Sequence, residues 1–121
     1  MTKFFAALSI ACFCALPVSG QQAVLSGSGA DIRVLDKVSG QSTNYTLASG
    51  ASLQIGQLTV VLRACRYPEG APSNDAFAFF DISETETAVA IFNGWMVASS
   101  PALNAMEHSR YDVWVLRCKI S

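Results

Sequence analysis

The sequence predicts a small all-β domain, a sandwich or partly open barrel of about seven strands with one short helix before the last strand. Turn residues recur every 6 to 10 positions from Ala30 onward, the punctuation of short antiparallel strands. Between the turns, apolar and β-branched residues follow a two-residue period or form short continuous runs, as in Leu58-Thr59-Val60-Val61-Leu62. Two cysteines, Cys65 and Cys118, lie far apart in strand-like runs, as expected of a staple in a small exported domain.

The chain opens with what reads as an export signal over residues 1–20. Lys3 precedes an apolar run of 13 residues from Phe4 to Leu16, followed by Pro17 and the small-residue pattern Val18-Ser19-Gly20. The run is shorter than the roughly 20 residues that span a bilayer, and no later segment is apolar enough to span one. Cleavage before Gln21 is the expectation. A retained anchor is one alternative, and acylation of Cys12 is another, although Ser9 stands where a lipoprotein signal has a large aliphatic residue. Removal of residues 1–20 takes Lys3 and no acidic residue. The remaining 101 residues carry 7 Lys+Arg against 9 Asp+Glu, a net charge of −2. That balance gives no electrostatic reason to bind nucleic acid or anionic lipid.

Gln21 to Gly29 is rich in glycine and serine and reads as a flexible lead, with a single β domain over residues 30–121. Asp31 to Lys37 alternates and turns back at Ser39-Gly40. Thr43 to Leu47 and Ala51 to Ile55 are two further short runs, closed by Ser49-Gly50 and Gly56. Leu58 to Cys65 is the longest β-branched stretch and reads as a well-buried strand. Strict alternation, however, puts Cys65 with Thr59, Val61 and Arg63. Either both faces of that strand are covered, or a bulge shifts its phase near Cys65. Pro68 to Asn74 is a loop. Asp75 to Ser83 sets Phe77 and Phe79 against Ala78, Phe80 and Ile82. A turn around Glu84-Thr85-Glu86 leads into Thr87 to Val97, where Asn93-Gly94 suits either a hairpin turn or, preferably, a glycine bulge in one long strand. Ser100 with Pro101 reads as a helix start, with Leu103 and Met106 on one side. Tyr111 to Cys118 is the last strand. Its alternation puts Trp114, Leu116 and Cys118 on one face, which places Trp114 in the core beside the disulfide.

The block Phe92 to Cys118 resembles an uncharacterised family of exported bacterial proteins, domain of unknown function 2155, found mainly in alphaproteobacteria. The pattern includes Leu35 to Gly40, Leu58-Thr59-Val60, Arg63-Ala64-Cys65-Arg66, Gly94-Trp95-Met96, Ala98 to Asn104, Glu107-His108 and Tyr111 to Trp114. Ser109-Arg110 departs from the family's usual proline-containing step after the histidine. The resemblance covers about Ile32 to Lys119. It implies a small exported bacterial domain with paired cysteines, and it carries over no activity and no catalytic residue.

The candidate functional corner therefore comprises Trp95, Ser99, Asn104, Glu107, His108, Tyr111 and Asp112. Ser99 or Ser100 with His108 and Asp112 supplies the residue types of a hydrolytic triad. No Gly-x-Ser-x-Gly elbow accompanies them, and Ser100 is accounted for as a cap. Glu107, His108 and Asp112 make a thin ligand set for a metal. The plainer reading makes His108, the sole histidine, a hydrogen-bonded corner residue. Trp95, Trp114, Tyr111 and Tyr67 could stack on a glycan, and Asn44-Tyr45-Thr46 matches a glycosylation acceptor. No phosphate loop, dinucleotide fingerprint or basic stripe occurs, so no cofactor is expected. The expectation is an exported, non-catalytic binding or envelope-assembly module whose partner is another envelope protein or, alternatively, a glycan. A small hydrolase is the competing reading.

Overall fold

A computed structural model describes residues 23–120. The expected signal with Cys12 and Cys14, and the start of the lead, lie outside the described residues. Eight strands form two antiparallel sheets: β1 (Val24–Ser26), β2 (Gly29–Asp36), β3 (Ser42–Ala48), β4 (Ser52–Ile55), β5 (Leu58–Pro68), β6 (Phe77–Glu84), β7 (Ala90–Val97) and β8 (Tyr111–Lys119). β5 organises the larger sheet. It pairs with β6 on one side, which pairs with β7; on its other side it pairs with β4 along its first half and β1 at its end. β2 lies between β3 and β8 in the smaller sheet. Leu58, Val60, Leu62, Phe80 and Ile82 of the first sheet bury against Ile32, Val113 and Val115 of the second. The fold is the expected all-β sandwich.

Two cysteines reach that core through a matched pair of irregularities. In β5 the pairing runs from Leu62 opposite Phe80 to Ala64 opposite Phe79, so Arg63 is an extra residue. In β8 it runs from Val115 opposite Ile32 to Arg117 opposite Asp31, so Leu116 is extra. Each bulge sits two residues before a cysteine and reverses the in/out phase of the rest of its strand. Cys65 thereby joins Leu58, Val60 and Leu62 inside, and Cys118 joins Val113 and Val115. The two are disulfide-bonded across the sheets, with Cα atoms 5.6 Å apart. The alternative of a phase shift near Cys65 is the one the strand adopts.

The bulge in β8 corrects the expected core place of Trp114. Unshifted alternation links Trp114 to Cys118; with Leu116 inserted, Trp114 pairs with Arg33 on the opposite face and is only half-buried. The expected short helix is also absent among the described residues. Pro101 to Asn104 is a turn, with Leu103 N–H donating to the Ser100 carbonyl at 3.0 Å. One helical turn fixes several dihedrals for a single bond, and here nothing packs along it to offset that cost. Leu103 is 74% exposed whereas Met106 is buried, so the two do not share a face. Asn93-Gly94 is neither a hairpin turn nor a bulge. Asn93 and Gly94 pair regularly with Asp81 and Phe80, and the extra residue of β7 is Ile91.

Part of the lead of residues 21–29 lies in strands. Val24–Ser26 pairs with Arg66–Pro68, and Gly29 already opens β2. Its glycines serve close packing: a Cβ at Gly29 would lie 2.1 Å from the Leu47 carbonyl oxygen.

Candidate functional site

The segment from Ala98 to Arg110 carries the chain from β7 in one sheet to β8 in the other. It forms no strand, so its polar groups are met by scattered backbone bonds and by side chains. Three such anchors absorb most of the candidate residues.

Asp75 fixes the start. Its carboxylate accepts from Ser99 N–H at 3.0 Å, Ser99 Oγ at 2.7 Å and Ala76 N–H at 2.9 Å. Burial pushes the Asp75 carboxyl up, but these three bonds together outweigh it and hold the group below its ordinary value. Asn104 fixes the middle by donating from Nδ2 to the Trp95 carbonyl at 2.8 Å. That oxygen lies on the edge strand β7, so Asn104 occupies part of an otherwise open sheet edge. Gly94 leaves room for it, since a Cβ there would lie 3.1 Å from Asn104 Nδ2.

His108 fixes the end. Its Nδ1 accepts from the N–H groups of Arg110 and Tyr111, both at 3.1 Å. With Nδ1 an acceptor, the ring proton sits on Nε2, which faces Glu84 Oε1 of β6 at 3.3 Å. The ring stacks on Tyr111, with centroids 5.9 Å apart and planes at 20°. The His108 carbonyl accepts from Lys37 Nζ. Arg110 pairs with Asp36 at 3.2 Å and lies 5.2 Å over the Tyr111 ring. Its hydrogen bond holds the Asp36 carboxyl low and the Arg110 guanidinium high. Tyr111 in turn covers Gly56, where a Cβ would meet the phenol oxygen at 2.3 Å and φ is +54°. A polar cleft of about 300 Å³ remains between Gly56, Gln57, Glu84 and this corner. The arrangement is the hydrogen-bonded corner that the plainer reading of His108 describes.

The candidate corner therefore falls into three separate anchored groups, with Glu107 and Asp112 outside them. Ser99 is committed to Asp75, and both ring nitrogens of His108 are engaged elsewhere. Asp112 lies apart from both, lining an apolar groove of about 450 Å³ with Pro101, Ala102, Ala105, Val113 and Trp114. Among the described residues no hydrogen bond joins either serine, His108 and Asp112. Glu107 is exposed, and no three His, Cys, Asp or Glu side chains among the described residues are placed to hold a metal.

Trp95 leads to a different surface. It faces outward from β7 and stays 37% exposed. Its cross-strand neighbour Phe79 meets it edge-on, with centroids 5.2 Å apart and planes at 80°. The Arg66 guanidinium lies 5.1 Å over the indole. Val24, Arg66, Phe77 and Trp95 surround an open depression of about 270 Å³. Tyr67, which the alternative glycan reading sets beside Trp95, is only 8% exposed and points to the core. The Phe77/Phe79 alternation is a sequence signal for this face. The contributions of Arg66 and Val24 depend on the β5 bulge and the pairing of β1.

Comparison with known proteins places the chain among sequences of no assigned activity. Residues 30–118 match the family described as "Uncharacterized protein conserved in bacteria (DUF2155)". A relative from Rickettsia prowazekii (strain Madrid E), "Uncharacterized protein RP359", is 28% identical over 90 residues, 72% of this chain. The chain spans 58% of the length of that relative. No solved structure matches.

Proposed function

The chain belongs to this bacterial family of unknown function, and we propose that it works as an exported, non-catalytic binding or assembly module of the cell envelope. The observation that carries the reading is the outer face of the larger sheet. Water-facing positions of an antiparallel sheet are ordinarily polar. Here β1, β5, β6 and β7 present Val24, Arg66, Phe77, Phe79 and Trp95 side by side. An exposed tryptophan and arginine beside two half-buried phenylalanines have the composition of a protein contact. Export is supported by the 13-residue apolar run of the amino-terminal segment and by a disulfide suited to an oxidising compartment.

Two strains test the proposal, one expressing the tagged wild-type chain and the other Trp95→Ala. Whole-cell crosslinking should give a discrete adduct with wild type that the folded variant loses; no adduct, or equal adducts, would contradict the reading. The mature protein recovered from the periplasm should begin at Gln21, whereas an uncut chain confined to the cytoplasm would contradict export.

A further inference from the structure

Resting on the binding face just proposed, we infer that its occupant is an extended protein segment that carries a large apolar side chain and, two residues away on the same side, a carboxylate.

The size of the depression sets the scale. At about 270 Å³ and open to solvent, it is smaller than the roughly 300–1,000 Å³ of ordinary small-molecule sites. It has room for one anchoring side chain. Val24, Phe77 and Trp95 supply apolar walls.

Arg66 supplies the polar requirement. Arg63, Arg110 and Arg117 each pair with an aspartate, Asp81, Asp36 and Asp31 respectively. Arg33 donates to Asn44 Oδ1. Arg66 has no carboxylate or other side-chain hydrogen-bond partner among the described residues. Its guanidinium is nevertheless oriented, held over an indole that Phe79 buttresses. A planar fork fixed in place and lacking an acceptor is suited to a carboxylate, which it can engage by two parallel bonds. Beside an apolar depression, that carboxylate belongs on the same side of the segment as a large apolar side chain, a spacing of two residues in extended chain.

Competing occupants fit less well. A membrane surface draws on many cations, whereas on this face Arg63 is already paired with Asp81, which leaves Arg66, and the chain beyond residue 20 carries a net charge of −2. A sugar ring needs an open indole face, and Arg66 lies over one face of Trp95. Addition of a partner strand at β7 is opposed at the Trp95 carbonyl, which Asn104 already takes. The segment therefore lies across the face and not along the edge.

Amide chemical-shift titration of the exported, oxidised protein tests this with acetyl-Phe-Ala-Glu-amide and its isosteric control acetyl-Phe-Ala-Gln-amide. The acidic peptide should move the signals of Arg66, Phe77 and the Trp95 indole, with the glutamine peptide about tenfold weaker, the scale of one charge-assisted bond. Arg66→Gln should reduce the acidic peptide to the level of its control, and Trp95→Ala should abolish both responses. Unchanged dispersion of the remaining signals verifies that each variant is folded. Equal affinity of the two peptides would overturn the inference, as would no shift up to about 10 mM, a range that admits even single-anchor affinities. Preferential shifts on this face with dodecanoate, or with an N-acetylglucosamine oligomer, would overturn it in favour of a lipid or a glycan. If the peptides fail while the Trp95-dependent adduct persists in cells, the occupant is wrong and the binding face stands.

Discussion

Reduction of the Cys65–Cys118 bond should cost the protein about 4 kcal/mol of stability. The bond closes a loop between positions 53 apart, and the loss of unfolded-chain entropy for that length is about 4 kcal/mol at 25 °C. The native side should change little. Both cysteines are buried, at 1% and 6% exposure, and each is held inward by the bulge two residues before it. Reduction keeps both sulfur atoms in the core, shifted apart to thiol contact distance, so no cavity opens as it would with alanine. A domain of about 100 residues has a total stability of about 5–10 kcal/mol, so roughly half or more rests on this bond. Urea titrations with and without a phosphine reductant, followed by tryptophan emission, would read the difference. The reduced unfolded chain should also expand and raise the denaturant slope. A loss below about 1 kcal/mol with an unchanged slope would refute the chain-entropy reasoning.

His108→Ala strands two backbone N–H groups and frees the Glu84 contact, so it should cost about 1–3 kcal/mol; an unchanged melting temperature would contradict its corner role. Trp114→Ala should cost about 1–2 kcal/mol because the side chain is half-buried outside the core, whereas Phe80→Ala should cost about 3–5 kcal/mol; thermal melts that reverse this order would contradict the register of β8. The Asp75 carboxyl is held below its ordinary value in the folded protein, so its contribution is present above the unfolded carboxylate pKa of about 3.9 and lost as pH falls through the folded value. The melting temperature should decline between about pH 5 and about pH 2, and less steeply in Asp75→Asn; parallel pH profiles would contradict the role of Asp75.

The two-residue period exposes most strands and the inward set of β6, because alternation is a local property that survives in the sequence. The positions where reading fails are those where an inserted residue or a distant partner decides. Leu116 looks like any apolar strand residue, yet its insertion sends Trp114 outward and Cys118 inward. Val24–Ser26 is too short to declare itself and becomes a strand because β5 extends past Cys65 to receive it. Ser100-Pro101 carries valid helix-start chemistry, but Asn104 is drawn to the Trp95 carbonyl and Met106 to the core. The functional corner is legible as a cluster in sequence and not as a cluster in space. Ser99, His108 and Trp95 turn to Asp75, Glu84 and Arg66, residues that adjacency along the chain does not reveal.

The most direct test of the central claim is a photocrosslinking map in living cells, with a photoreactive residue placed in turn at positions 77, 79 and 95 of the larger sheet and at positions 42 and 44 of β3. Adducts to the same partner confined to the first three positions are the predicted result. Adducts from β3 alone, or the same yield from both sheets, would contradict the assignment of the Trp95 face as the binding surface.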